Sequence, residues 1–281
     1  MYLQFFGLRE YPFGLTPDSS FFFADESRQG ALDTLRFALE SGEGFIKISG
    51  EVGTGKTTLC RYFLQSLGPD TISAYILNPQ LEPRELLQAV ARELSLSLDQ
   101  HEDGQQALQA INQALLQHAA DDKRVILLID EAQALSTASL ETVRLLSNLE
   151  TEKRKLLQIM LFGQPELDTR LEAPEIRQLK QRIAFNYILR PLRQDESGAY
   201  LEHRLRLAGY RGGALFSPGA RRLIHRASRG IPRLINLLAH KALLAAYGQG
   251  RRQISRRELL RALDDTPQAF SVAFWRRVTG F

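Results

Sequence analysis

Cysteine is nearly absent: Cys60 stands alone among 281 residues. That excludes an internal disulfide framework and fits a reducing compartment. Long apolar runs are also missing. The longest clean aliphatic stretch runs from Val125 to Ile129, far short of the roughly 20 residues a spanning helix needs. The N-terminus carries no basic region leading into an apolar stretch, so no secretory signal is expected. The five histidines, His101, His118, His203, His225 and His240, show no metal-ligand spacing with one another or with Cys60. No internal repeat or low-complexity segment occurs. With 44% hydrophobic and 24% charged residues, the composition is that of a globular protein. These absences predict a cytoplasmic address with no integral membrane span.

Charge is unevenly spread. Residues 1–180 hold 17 Lys and Arg against 26 Asp and Glu, a balance of −9. Residues 181–281 hold 19 against 6, a balance of +13, so the whole chain carries +4. A basic C-terminal third suits nucleic acid, an anionic membrane or an acidic protein surface. It equally suits solvated helix faces that meet the acidic front half.

Aromatic residues crowd the opening: Tyr2, Phe5, Phe6, Tyr11, Phe13, Phe21, Phe22 and Phe23. With Pro12 and Pro17 among them, an irregular anchored arm is expected rather than a helix. Strands are then predicted at residues 45–49, 73–77, 125–129, 157–162 and 183–189. Helices are predicted before the first strand, near 28–39, and between the strands, from the end of the 50–57 loop to 67, near 83–94, 104–119 and 139–149, with short ones around 166–171 and 175–181. This alternation implies an α/β domain, a parallel sheet with helices on both faces. The all-aliphatic run at 125–129 suits a central strand. After Pro191-Leu192 only helices are expected, at 195–208, 218–229, 231–247 and 256–263. Ser217-Pro218 reads as an N-cap followed by a first-turn proline, and Ser255 to Glu258 as a capping box. The expected domains are 1–192 (α/β, with the arm), 193–268 (a small all-helical lid) and 269–281 (a tail). The tail carries Phe270, Phe274, Trp275, Val278 and Phe281 beside Arg276 and Arg277. Docking of its apolar side chains on the helices is preferred to contact with a membrane.

One motif is complete. Gly50-Glu51-Val52-Gly53-Thr54-Gly55-Lys56-Thr57 matches G-x-x-x-x-G-K-[ST] between a predicted strand and a predicted helix. Glycines let backbone N–H groups turn inward on phosphate oxygens, and the helix start faces the anion. Lys56 reaches the β- and γ-phosphates, and the Thr57 hydroxyl ligates Mg²⁺. Gly50 through Thr57, with Thr58, are the expected ATP-binding positions. Asp130 ends the aliphatic strand and completes the Mg²⁺ site. Glu131 is the candidate general base toward the attacking water.

Further candidates follow from position. Gln164 ends the next strand and suits a contact with the γ-phosphate or the water; a turn residue before Pro165 is the alternative. Arg177 and Arg182 precede the last strand. If subunits form a ring, either could cross to a neighbour's γ-phosphate, and Arg182 is preferred. Gly230-Ile231-Pro232-Arg233 opens a helix, and Arg233 there suits a phosphate sensor. Cys60, one turn into the P-loop helix, reads as a small core residue.

With these motifs in view, the sequence resembles the AAA+ ATPases, and within them the secretion-ATPase group typified by general secretion pathway protein A. The resemblance spans about residues 3–268. It rests on Phe6-Gly7-Leu8-Arg9-Glu10-Tyr11-Pro12-Phe13, on Leu15-Thr16-Pro17-Asp18 and on the P-loop. It rests also on Leu128 to Gln133, on Gly163-Gln164-Pro165-Glu166-Leu167 and on Gly230 to Arg233. It implies an adenine pocket formed by the arm, with Pro12 and Phe13. It implies sensor roles for Gln164 and Arg233, and a finger at Arg182 or Arg177. It implies ATP and Mg²⁺ as cofactors, a homo-oligomeric ring, expected to be a hexamer, and inner-membrane pilus or secretion assembly proteins as partners. Members of the group continue into a membrane helix and a peptidoglycan-binding part. These 281 residues contain neither, which favours the shorter MSHA-type pilus-biogenesis branch. A DNA-binding ATPase of the transposition-helper type is the alternative, kept open by the basic third. A two-core helicase does not fit despite the Asp-Glu-Ala-Gln string, because the length holds one nucleotide-binding core.

Overall fold

The computed structural model describes residues 2–97, 104–152, 154–267 and 269. His101 and the expected tail beyond Ala269 lie outside the described residues. The chain divides into two units. One comprises Glu26–Glu51 and Lys56–Leu189; the other comprises Met1–Asp25, Val52–Gly55 and Arg190–Phe281.

The aromatic opening begins with a short helix, α1 (Tyr2–Phe6), where irregular chain was expected. Pro12 and Pro17 follow the helix and remove none of its donors, so they do not forbid it. Further on, the Asp18 carboxylate accepts the Ser20 N–H at 2.9 Å and caps a 3₁₀ turn at Ser19–Phe21.

The α/β unit runs α2 (Glu26–Ser41), β1 (Phe45–Ser49), α3 (Lys56–Gln65), β2 (Thr71–Ile76), α4 (Pro83–Glu93) and α5 (Gly104–Ala120). It continues β3 (Arg124–Ile129), α6 (Thr137–Leu146), β4 (Gln158–Gly163), α7 (Pro165–Leu171), α8 (Arg177–Lys180) and β5 (Phe185–Ile188). The five strands are all parallel, in the order β2-β3-β4-β1-β5. Side chains alternate along each strand. Phe45, Val125, Leu127, Ile129, Ile159 and Leu161 share a core with α4, α5 and α6. The alternate positions Ile46, Ile48, Ile126, Leu128, Met160 and Phe162 are buried outside that core, on the face where α2 and α3 pack. Coverage on both faces explains why β3 and β4 read as continuous apolar runs.

Local chemistry sets the helix starts. Glu82 and Glu85 form a capping box ahead of Pro83 on α4, where a glutamate fills the place more often held by serine. Ser136 caps α6 by accepting the Ser139 N–H at 3.0 Å.

The helical unit contains α9 (Gln194–Leu207), α10 (Pro218–Ser228), α11 (Pro232–Gly248) and α12 (Arg256–Asp264). Ser217 accepts the Ala220 N–H and Pro218 opens α10; Ser255 and Glu258 form the expected capping box on α12. The core joins Leu201, Leu205, Phe216, Ile224, Ile235, Leu243 and Leu259 with Tyr2, Phe6, Phe13 and Phe21. The arm, which the sequence groups with the α/β part, therefore packs on these helices. Backbone contacts hold it there: the Arg9 N–H donates to Ala208 O (2.8 Å) and Asn236 Nδ2 to Gly14 O (3.1 Å). Gly230 (φ +74°) ends the α10–α11 turn; a Cβ there would stand 2.0 Å from Leu192 O.

Candidate active site

In the α/β unit the site builds up at the C-terminal ends of β1, β3 and β4. β1 ends at Ser49 and the Gly50 N–H donates to Gly163 O (3.2 Å) at the end of β4. Strand β4 lies between β1 and β3. The chain turns through Gly53 (φ +80°) and Gly55 (φ +96°), a backbone that side chains rarely adopt, and α3 starts at Lys56.

Lys56 is 4% exposed. Its Nζ donates to Gly50 O at 2.7 Å and Glu51 O at 3.1 Å. Burial lowers its pKa, while the carboxylates of Glu131, Asp130, Glu51 and Glu166 pull it back up. A buried ammonium among loop carbonyls is ready to exchange those partners for phosphate oxygens.

Thr57 Oγ1 donates to Asp130 Oδ2 at 2.6 Å, and Asp130 Oδ1 accepts the Glu131 N–H at 2.9 Å. Asp130 is wholly buried, and burial raises its pKa against the lowering effect of the Thr57 hydroxyl. Tyr75, on β2, places its hydroxyl 3.4 Å from the same Oδ2. Hydroxyl and carboxylate are hard oxygen donors, and one carboxylate beside one hydroxyl suits an ion that keeps several of its waters. The pair therefore fits Mg²⁺.

Glu131 sits in left-handed backbone, φ 51° and ψ 36°, at the turn leaving β3. Its Oε2 accepts Gln133 Nε2 at 2.6 Å and Gln164 Nε2 at 2.9 Å. Left-handed geometry costs an ordinary residue on the order of 1 kcal/mol and gathers at functional sites. The structure thus brings Lys56, Thr57, Asp130, Glu131 and Gln164 to one edge of the sheet. Gln133 and Tyr75 join them, and neither stood out as a candidate in the sequence. Tyr75 is brought there by the β2–β3 pairing, which sets it opposite Leu128.

Arg177 is exposed at the start of α8. Arg182 is half-buried and donates to Ser147 O at 3.2 Å. Among the described residues, neither forms a hydrogen bond or ion pair with Lys56, Asp130 or Glu131.

In the helical unit, which includes Val52–Gly55, the Arg233 N–H donates to Gly53 O at 3.2 Å, and its side chain is exposed at the first turn of α11. A Cβ on Gly53 would lie 2.7 Å from Arg233 Cβ. Pro12 and Phe13 are buried: the Phe13 ring stands edge-on to Phe216 and Pro12 O accepts Arg204 Nε at 2.5 Å. Phe13 is only 1% exposed. Cys60 is fully buried in α3.

The sheet order, with the glycine loop after β1 and Asp130 at the end of β3, is the arrangement of the AAA+ P-loop fold. A family model described as an AAA domain matches residues 39–171. General secretion pathway protein A of Aeromonas hydrophila is 46% identical over 254 residues, covering 90% of this chain and 46% of that protein. The chain is similar to general secretion pathway protein A, of whose length it spans about half, and the AAA domain match takes in a little under half of its own residues. Among solved structures, Cdc6p from Pyrobaculum aerophilum matches with a TM-score of 0.70 at 19% identity, over 92% of this chain and 73% of that one. The Thermotoga maritima RuvB Holliday junction branch migration motor matches with a TM-score of 0.60 at 18% identity, over 91% and 73%. At such identity these likenesses concern the fold alone. No described helix is long and apolar enough to cross a membrane.

Proposed function

We propose that the chain hydrolyses ATP with Mg²⁺, and that turnover drives or switches assembly of a type IV-like (MSHA-type) pilus or type II-like secretion apparatus. The observation that carries the chemistry is the convergence of Lys56, the Thr57–Asp130 pair and Glu131 at one sheet edge. Inward N–H groups of Gly50 to Thr57 hold the phosphates, and Lys56 offsets charge on the β- and γ-phosphates. Thr57 and Asp130 would hold Mg²⁺, which would supply positive charge to offset that of the phosphates. Glu131 accepts the proton of the water that attacks the γ-phosphorus, yielding ADP and phosphate. Gln164 orients that water or the γ-phosphate. Arg233 senses the γ-phosphate. In a homo-oligomeric ring, six subunits by family resemblance, Arg182 or Arg177 meets the neighbour's nucleotide.

Similarity to general secretion pathway protein A supports inner-membrane assembly proteins as partners and a peripheral place at the cytoplasmic face. Steady-state hydrolysis measured over a range of protein concentration tests this reading. Turnover per subunit that rises with concentration supports the interface arginine, and flat turnover opposes it.

A second reading, a DNA-binding ATPase of the transposition-helper type, draws on exposed Arg222 and Arg226 on α10 and Arg256, Arg257 and Arg261 on α12. Strong stimulation of the same assay by duplex DNA would favour it.

A further inference from the structure

We propose that Gln133 is a positioning residue for Glu131, a role that rests on reading Glu131 as the general base. Its side-chain amide works in two directions. Nε2 donates to Glu131 Oε2 at 2.6 Å, and Oε1 accepts the backbone N–H of Gln164 at 3.0 Å. The amide can stand in one orientation only, because a carboxylate accepts and a backbone N–H donates. The backbone carbonyl of Gln133 is held in turn by the Arg170 guanidinium from α7, at 2.5 Å. The Gln164 side chain reaches the same carboxylate oxygen from β4's end, at 2.9 Å.

Both amides therefore converge on Oε2, and Oε1 carries no hydrogen bond among the described residues. One oxygen is anchored and the other is left to take a proton from water. The anchoring is needed because Glu131 is half-exposed on a left-handed turn, and its rotamer freedom would otherwise have to be lost at each turnover. The clamp also links the two strand ends. Any movement of Gln164 reaches the Glu131 carboxylate twice, directly and through Gln133.

Gln133→Met keeps the shape and removes both hydrogen bonds, so it tests the proposal in wild-type and Glu131→Gln backgrounds. ATP affinity, kcat and thermal midpoint are read on the same samples, with single-turnover phosphate release for the slow variants. Misplacing a catalytic group costs kcat, so Gln133→Met should lower it by about 10- to 100-fold with KM for ATP within about 2-fold. It should cause no further loss in the Glu131→Gln background, where there is no base left to position. Gln133→Glu, which sets a carboxylate against Glu131, should be slower still. Wild-type turnover in Gln133→Met, or an equal loss in both backgrounds, overturns the positioning role. Full turnover in Glu131→Gln alone would overturn the general-base reading instead, so the two failures are distinguishable.

Discussion

Thr57 Oγ1 stands 2.6 Å from Asp130 Oδ2, joining the first turn of the P-loop helix to the end of a strand two places away in the sheet. The contact crosses 73 residues of sequence. It aligns two oxygen donors from different elements, which lowers the ordering cost of binding an ion.

Asp130→Asn keeps the shape and removes the charge. Turnover should fall by about 100-fold or more, since the metal's charge stabilisation goes with it. Thr57→Ser should stay near wild type because it retains the hydroxyl. Mg²⁺ titrations of ATPase activity on the three proteins check this.

Lys56→Ala should weaken ATP binding by about 100-fold or more, given the strength of charge-assisted contacts to phosphate. The fold should survive, because the Nζ partners are loop carbonyls that water can satisfy. Fluorescent-nucleotide titration and a thermal melt separate the two effects.

Gly230 tests the turn that sets Arg233. Its φ of +74° and the 2.0 Å approach of Leu192 O leave no room for a methyl group. Gly230→Ala should destabilise by roughly 2–4 kcal/mol, combining backbone strain with a forced shift. Gly68→Ala, with nothing within 4 Å of its Cβ, should change stability by less than about 1 kcal/mol. Urea unfolding of both variants gives the comparison.

Stability should also depend on acid through Glu196. The Arg190 guanidinium grips its carboxylate at 2.7 and 2.8 Å, and the Arg193 N–H adds a bond at 2.7 Å. These partners hold its pKa at about 2, below the usual 4.5. A depressed carboxylate stabilises the fold fully above 4.5, and the contribution is lost as pH falls through about 2. Its size is roughly 2–3 kcal/mol. The gap in Tm between wild type and Glu196→Gln should be widest above pH 5 and close toward pH 2.

Much of this was legible in the sequence because it is local. The P-loop is contiguous, and β3 announces itself by an aliphatic run that ends in Asp130-Glu131. The caps at Ser217 and Ser255 need only their own helices. What escaped depends on distant packing. Phe13 belongs to an arm that the sequence shows to be anchored without showing on what, and its ring packs against Phe216, about 200 residues on. The short helix at Tyr2–Phe6 forms where aromatic density predicts irregular chain, packed on α11. Gln133 stayed hidden inside a familiar string. Only the 3₁₀ turn at Ala132–Ala134 folds it back toward Glu131 and brings Gln164 within reach.

The most direct test of the account compares Glu131→Gln with wild type for ATP affinity and hydrolysis on the same preparations. The account predicts affinity within about 3-fold and turnover reduced by about 100-fold or more, the loss expected when a general base is removed. Wild-type turnover in the variant would contradict it.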